Sequence, residues 1–118
     1  MKVIVIADDD NSRLRLKRLL ESNGFEVITY TWFLKAIDNL DEIEPDLIII
    51  SAIDFPRHWK MLPSLLSVLE SKKNTKLVLY ISDEFDKFDL EKAGFLGINC
   101  IFPANLSDND IVRGINQL

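Results

Sequence analysis

Cysteine and histidine are nearly absent from these 118 residues, which hold one of each, Cys100 and His58. A lone cysteine excludes an internal disulfide, and nothing else suggests a secreted, stapled domain. Basic residues are outnumbered, 14 Lys and Arg against 19 Asp and Glu, for a net charge of −5. That balance argues against a nucleic-acid surface, which would be basic. Long apolar runs are missing too. Val3–Ala7 and Leu47–Ile50 are typical, far short of the ~20 residues a membrane span needs. The N-terminus offers one Lys, a short apolar stretch and then three Asp, which is not a signal peptide. No repeat, low-complexity tract or linker interrupts the chain. The expectation is one soluble, acidic, cytoplasmic domain over residues 1–118, long enough to bury its own core, with no nucleic-acid or membrane partner.

Short β-like runs alternate with helix-like segments. Val3–Ala7 is a continuous apolar run of the length of a strand buried on both faces. Asp10, Asn11 or Ser12 can cap a first helix bearing Leu16, Leu19 and Leu20, with Gly24 as its stop. Phe25–Tyr30 reads as a second strand. Thr31 can cap a second helix with Phe33, Ala36, Ile37 and Leu40 on one face. Leu47–Ser51 is the third strand, after Pro45. An irregular stretch, Ala52 to Leu62, precedes a third helix with Pro63 in its first turn and Leu65, Leu66 and Leu69 on its face. Lys76–Ile81 is the fourth strand. Phe85, Phe88 and Ala93 mark a fourth helix ending at Gly94, and Ile98–Phe102 is the fifth strand, stopped by Pro103. Ser107 can cap a fifth helix with Asp110 at its N3 position and Ile111, Ile115 and Leu118 as its stripe.

Strict alternation of five such units predicts an α/β fold. The expected form is a flavodoxin-like, doubly wound (βα)5 sandwich with a parallel five-stranded sheet in the order 2-1-3-4-5. Ligands in that architecture sit beyond the carboxyl ends of the strands. This directs attention to Ala7-Asp8-Asp9-Asp10, Ser51 onward, Ser82-Asp83 and Phe102-Pro103.

Met1-Lys2-Val3-Ile4-Val5-Ile6-Ala7-Asp8-Asp9-Asp10, Asn23-Gly24-Phe25-Glu26-Val27, Pro45-Asp46-Leu47-Ile48-Ile49-Ile50, Ala93-Gly94 and Phe102-Pro103, in this order and spacing, resemble the receiver domain of two-component response regulators. The resemblance covers essentially the whole chain. It implies an acidic pair after strand one that holds Mg²⁺ and an Asp ending strand three that accepts a phosphoryl group. It also implies a Ser or Thr after strand four and a Lys before the Pro of strand five that bind the phosphoryl oxygens. Such a site works by positioning and charge neutralisation.

Carried onto this chain without gaps, the pattern breaks. Ala7 falls at the first acid of the pair and Asp8 at the second, although a one-residue shift would make the pair Asp8 and Asp9. Ser51 falls where the phospho-accepting Asp belongs. Ser82 keeps the hydroxyl position, and Phe102 replaces the Lys. The aromatic switch position falls near Asn99 or Cys100, neither aromatic. The losses go together, because removing only the Lys would leave repelling carboxylates and removing only the acceptor an unpaired ammonium. The resemblance therefore implies an atypical receiver, or pseudo-receiver: a bacterial signalling module that is not an enzyme and needs no cofactor. Its partner would be another signalling protein or an output domain, or a second copy met through the fourth and fifth helices. Ending at Leu118, the chain fits a stand-alone protein or a fragment of a longer one.

Alternatives remain at this stage. Asp8 and Asp9, with Asp10, can form a weak Mg²⁺ or Ca²⁺ remnant or simply be solvated loop acids and a helix-dipole partner. Asp54 or Ser51 can be a non-standard phosphoryl acceptor in a regulator that still switches. Ser51 with His58 lacks the Gly-rich elbow and orienting group of a hydrolase. A small flavodoxin-like ligand binder is a further rival, but Asp8-Asp9-Asp10-Asn11-Ser12 would repel a phosphate rather than cradle it. Trp32, Phe55, Trp59 and Phe102 are candidates for a lid or docking surface over the old pocket. Phe85, Phe88 and the basic first helix, with Arg13, Arg15, Lys17 and Arg18, are candidates for an interaction surface. The isomer of the Phe102–Pro103 bond, often cis in receivers, is not legible in the sequence.

Overall fold

Five strands run parallel in the order β2-β1-β3-β4-β5 in a computed structural model that describes residues 1–68 and 74–118. They are β1 (Lys2–Ile6), β2 (Glu26–Tyr30), β3 (Leu47–Ser51), β4 (Lys76–Ile81) and β5 (Cys100–Pro103). The helices are α1 (Asp10–Ser22), α2 (Phe33–Asp38), α3 (Leu40–Ile43), α4 (Met61–Val68), α5 (Lys87–Leu96) and α6 (Asp108–Asn116), with a short 3-10 turn at His58–Lys60. The fold is the expected flavodoxin-like one, and the register aligns Val5 with Ile49 and Ser51 with Tyr80 and Phe102.

Alternation along the strands divides the interior into two layers. Val3, Val5, Ala7, Leu47, Ile49, Val78, Tyr80 and Phe102 pack with Leu16 and Leu20 of α1 and Ile111 and Ile115 of α6. Ile4, Ile6, Ile48, Ile50, Leu77, Leu79 and Ile81 pack with α2 to α5 through Phe33, Leu40, Leu66 and Ala93. Each fully buried aliphatic side chain contributes about 1.5–3 kcal/mol. The two-sided demand explains why the central strands are apolar at every position rather than at every second one.

The helix boundaries correct several expectations. Asp9, not Asp10, Asn11 or Ser12, caps α1, its carboxylate accepting from the Ser12 N–H at 2.9 Å. Thr31 caps nothing; α2 starts after Trp32 without a side-chain cap, and its run breaks at Asn39 into α2 and α3. Pro63 does sit in the first turn of α4, while Leu69 lies outside the described residues. The fourth helix of the sequence reading is α5, and it passes through Gly94 to end at Gly97, which takes φ +92°. A left-handed residue there releases the chain into β5 at no Cβ cost. Ser107 caps α6 by accepting from the Asp110 N–H, but Leu118 is exposed rather than part of its buried stripe. The Phe102–Pro103 peptide is trans, since the described chain has no cis bond. Among the described residues no helix is long and apolar enough to cross a membrane.

Candidate functional site

Ala7, Ser51, Ser82 and Phe102 stand at the carboxyl ends of β1, β3, β4 and β5, and Ala7, Ser51 and Phe102 are buried there. The Phe102 ring is turned inward with the α1 and α6 side chains. It lies so close to Gly114 that a Cβ on that glycine would come 2.8 Å from the ring. The smallness of Gly114 is thus what lets α6 close over an aromatic at this strand end. Where the resemblance calls for an ammonium, there is a packed ring.

The loop after β3 returns toward β1. The Ser51 hydroxyl accepts from the Asp54 N–H at 3.2 Å, which holds the first turn of the loop. Asp54 Oδ2 then accepts from the Asp8 N–H at 2.8 Å and the Asp9 N–H at 3.1 Å. A carboxylate on two amides makes charge-assisted bonds, the stronger kind. Asp54 therefore ties the two loops together across the switch point of the sheet, a contact between residues 46 and 45 positions apart. Nothing in the local sequence announces it.

Arg13 closes the other side. Its Nη1 donates to the carbonyls of Ala7 and Asp8 at 3.1 and 3.0 Å, and its Nη2 pairs with Asp10. Arg15 reaches α6, donating to Asp108 at 3.0 and 2.8 Å and to the carbonyls of Ala104 and Leu106. Both guanidinium groups, candidates for an interaction surface, bond to the protein's own loop and helix ends. Of the four basic residues of α1, Arg18 is exposed and Arg13, Arg15 and Lys17 are half-buried.

Three of the four loop acids are likewise committed, and Asp8 alone keeps an exposed carboxylate with no partner among the described residues. Asp9 caps α1, Asp10 pairs with Arg13, and Asp54 holds two amides. Among the described residues, no three His, Cys, Asp or Glu side chains are arranged to hold a metal ion. A single uncommitted carboxylate, Asp8, is less than the acidic pair that the resemblance implies for Mg²⁺.

Hydrogen bonds from Ser12 hold the Asp9 carboxyl below the usual Asp range, with a smaller contribution from Arg13. A folded-state pKa that is depressed gives stability present above the unfolded value, near pH 4, and lost as pH falls through the folded value. Asp9→Asn keeps a good cap but cannot titrate. In urea midpoints measured from pH 5 to pH 2, the gap between the two proteins is expected to narrow as the acid limb is descended. A constant gap would show that Asp9 titrates normally.

The aromatic candidates separate. Trp32 is 48% exposed and meets Phe55 and His58 at ring distances of 5.8 and 5.6 Å. Phe33 and Phe55 also meet the His58 ring. Phe55 and Phe33 are buried, so Trp32 and the half-buried His58 are what this cluster offers to solvent. Trp59 is 0% exposed and belongs to the core layer under α2 to α5, against Phe85. It is no part of a lid or docking surface. The 3-10 turn at His58–Lys60 rolls it inward, and the Lys60–Asp89 ion pair at 3.0 Å fastens that turn to α5. Phe85 is half-buried on Trp59, and Phe88 is exposed.

Residues 1–98 match the family model TP_0454_N, described as an N-terminal domain. An uncharacterized protein of Treponema pallidum (strain Nichols) is 31% identical over 110 residues. That match takes in 93% of this chain and 48% of the relative, so the chain spans about half the relative's length. The fold is shared with solved receiver domains. One is the signal receiver domain of a DNA-binding response regulator from Colwellia psychrerythraea (TM-score 0.87, 15% identity, 99% of this chain and 96% of that one). Another is the chemotaxis protein CheY4 of Vibrio cholerae (TM-score 0.86, 15% identity, 98% and 96%). A third is a response regulator receiver protein from Burkholderia phymatum (TM-score 0.80, 21% identity, 98% and 92%).

Proposed function

The chain belongs to the TP_0454_N N-terminal-domain family, and from that premise we propose that it is a receiver-like signalling module that works through protein–protein contacts without an aspartyl-phosphate cycle. It is not an enzyme and needs no resident cofactor. The observation that carries this reading is Phe102, 2% exposed and packed on Gly114 where a phosphoryl-binding Lys would stand. Phosphoryl transfer rests on charge neutralisation, and a ring supplies none. The bonds that engage the Asp9 and Asp54 carboxylates and the buried Ser51 support the same conclusion. In that state the loops over β1 and β3 are held in one arrangement rather than switched by an incoming charge. The partner is another signalling protein, an output domain or a second copy, in keeping with a fold that does not by itself dictate chemistry.

One observation favours a second reading. Asp54 brings its carboxylate to the β1 loop, and Oδ2 alone takes both amides. An acceptor entering from the loop would use that carboxylate in place of Ser51.

Titration with Mg²⁺, then with Mg²⁺ and beryllofluoride (a mimic of the acyl phosphate), separates the two. Trp32 fluorescence and the Asp8 and Asp9 amide shifts are the signals. We expect no saturable change at millimolar Mg²⁺ with beryllofluoride. A saturable change that disappears in Asp54→Asn, together with a mass gain from a small phosphoryl donor, would establish Asp54 as an acceptor and overturn the fixed-state reading.

A further inference from the structure

A cleft of about 390 Å³ opens between α4 and α5 at the amino ends of β4 and β5. It lies at the opposite end of the sheet from Ala7, Ser51 and Phe102. Its size falls within the roughly 300–1,000 Å³ of small-molecule pockets. The floor is apolar, made by Pro63 and Leu66 of α4, Leu77 of β4 and Leu96 at the end of α5. Leu66, Leu77 and Leu96 belong to the core layer under α2 to α5, so the floor is the outer edge of that layer. Gly97 lines the cleft without a side chain, and a Cβ there would meet nothing within 4 Å.

The polar groups of the rim are donors. Asn99 is held at the edge by two bonds to Leu77: its backbone N–H donates to the Leu77 carbonyl at 2.9 Å, and its Oδ1 accepts from the Leu77 N–H at 2.8 Å. The N–H of Leu77 can meet only the amide oxygen, which assigns the other end of the amide as Nδ2. Both Nδ2 protons are without an acceptor among the described residues. Among those residues Lys76 is the one charged side chain that lines the cleft. It is exposed, and no carboxylate pairs with its ammonium there. The Thr75 and Ser67 hydroxyls give their protons to the Pro45 and Ser64 carbonyls. The cleft therefore offers an apolar floor, one positive charge and a free amide donor, in a protein whose net charge is −5. Lys and the amide nitrogen accept nothing, so what they complement is an anionic acceptor.

We propose that this cleft binds a small amphiphilic acid, its carboxylate on Lys76 and Asn99 and its apolar body on Pro63, Leu66, Leu77 and Leu96. One cation matches a monoanion, and the apolar floor favours a hydrocarbon body over a sugar or a nucleotide. The inference goes beyond the interaction-module reading and does not rest on it. A ligand seated here touches α4, α5 and the start of β4 together, so it supplies the fold with a chemical input other than a phosphoryl group.

Octanoate is the probe and octanamide, of the same length without the charge, its control. Each is titrated into the full chain at neutral pH to about 10 mM, following the backbone amide shifts. The expected result is a saturable change at Lys76, Leu77, Gly97 and Asn99, with a Kd for octanoate on the order of 0.1–1 mM. Octanamide should bind about tenfold more weakly, and so should octanoate to Lys76→Gln. Ser67 lines the cleft from an exposed position on α4, so Ser67→Trp fills the space without touching the core and should abolish the change. Circular dichroism confirms that both variants stay folded. No saturable change, a change centred on other residues, equal binding of octanamide, or binding indifferent to Lys76→Gln or to Ser67→Trp would each overturn the proposal. None of these outcomes bears on the beryllofluoride titration, so failure here is distinguishable from failure of the interaction-module reading.

Discussion

Trp59→Ala is expected to lose about 3–5 kcal/mol of folding stability, the usual cost of removing a large buried aromatic. That is a large share of the roughly 5–15 kcal/mol available to a domain of this size, so a partly unfolded protein at 37 °C is the anticipated phenotype. Trp59→Phe should behave quite differently. The indole Nε1 is buried without a hydrogen-bond partner among the described residues, and an unpaired buried donor costs about 1–3 kcal/mol. Phenylalanine removes that donor and keeps a ring against Phe85. It also gives up some apolar volume, which costs a similar amount. The two changes offset, and Trp59→Phe should fall within about 1 kcal/mol of the parent. Urea denaturation of the three proteins provides the comparison. If Trp59→Phe lost as much as Trp59→Ala, the N–H would have an acceptor after all. The same placement divides the fluorescence: Trp32 should be quenched readily by acrylamide, and Trp59 should not.

The layered sheet was legible because its physics is periodic. Val3 to Ile6 and Leu47 to Ile50 are apolar at every position, which only a strand covered on both faces requires. The resemblance then fixed which strand ends to inspect, and Ala7, Ser51, Ser82 and Phe102 do stand at one end of the sheet. What the sequence hid was aperiodic or non-local. Three acids, an Asn and a Ser in a row are all competent caps, and only backbone geometry selects Asp9. Gly94 and Gly97 are equally plausible helix stops; the positive φ of Gly97 distinguishes them. Trp59 lies in a turn with no hydrophobic period to reveal which way it faces. Arg13 and Arg15 read as a solvated basic face, yet their length lets them reach loop and helix-end carbonyls that are distant or turned back in the chain. The Asp54 latch joins loops 45 or more residues apart, and no local pattern encodes it.

Restoring the lysine that the receiver pattern calls for should damage this protein rather than repair it. Phe102→Lys removes a fully packed ring, which alone costs about 3–5 kcal/mol. It leaves Gly114 facing a void where α6 now closes on the ring. It also places an ammonium among Val5, Ile49, Ile111 and Ile115, where an unpaired charge is strongly unfavourable unless the chain bends it out to solvent. A total loss of about 4 kcal/mol or more is expected in urea denaturation. Adding Ser51→Asp should recover at least about 1 kcal/mol of it, because β3 and β5 end at the same level and the new carboxylate would pair with the ammonium. Ser51→Asp alone should be destabilising, since it puts a charge at a buried position now held by a hydroxyl on the Asp54 N–H. The pair of changes would thus couple with opposite sign to their separate effects, the signature of two groups in contact. Purely additive losses would mean that the ends of β3 and β5 no longer share a pocket. A parent-like Phe102→Lys would mean that the ring does not hold α6 to the sheet. The coupled result would carry a physical explanation for the joint absence of acid and lysine: each is tolerable at this strand end only with the other, and a ring over a glycine is the stable arrangement without both.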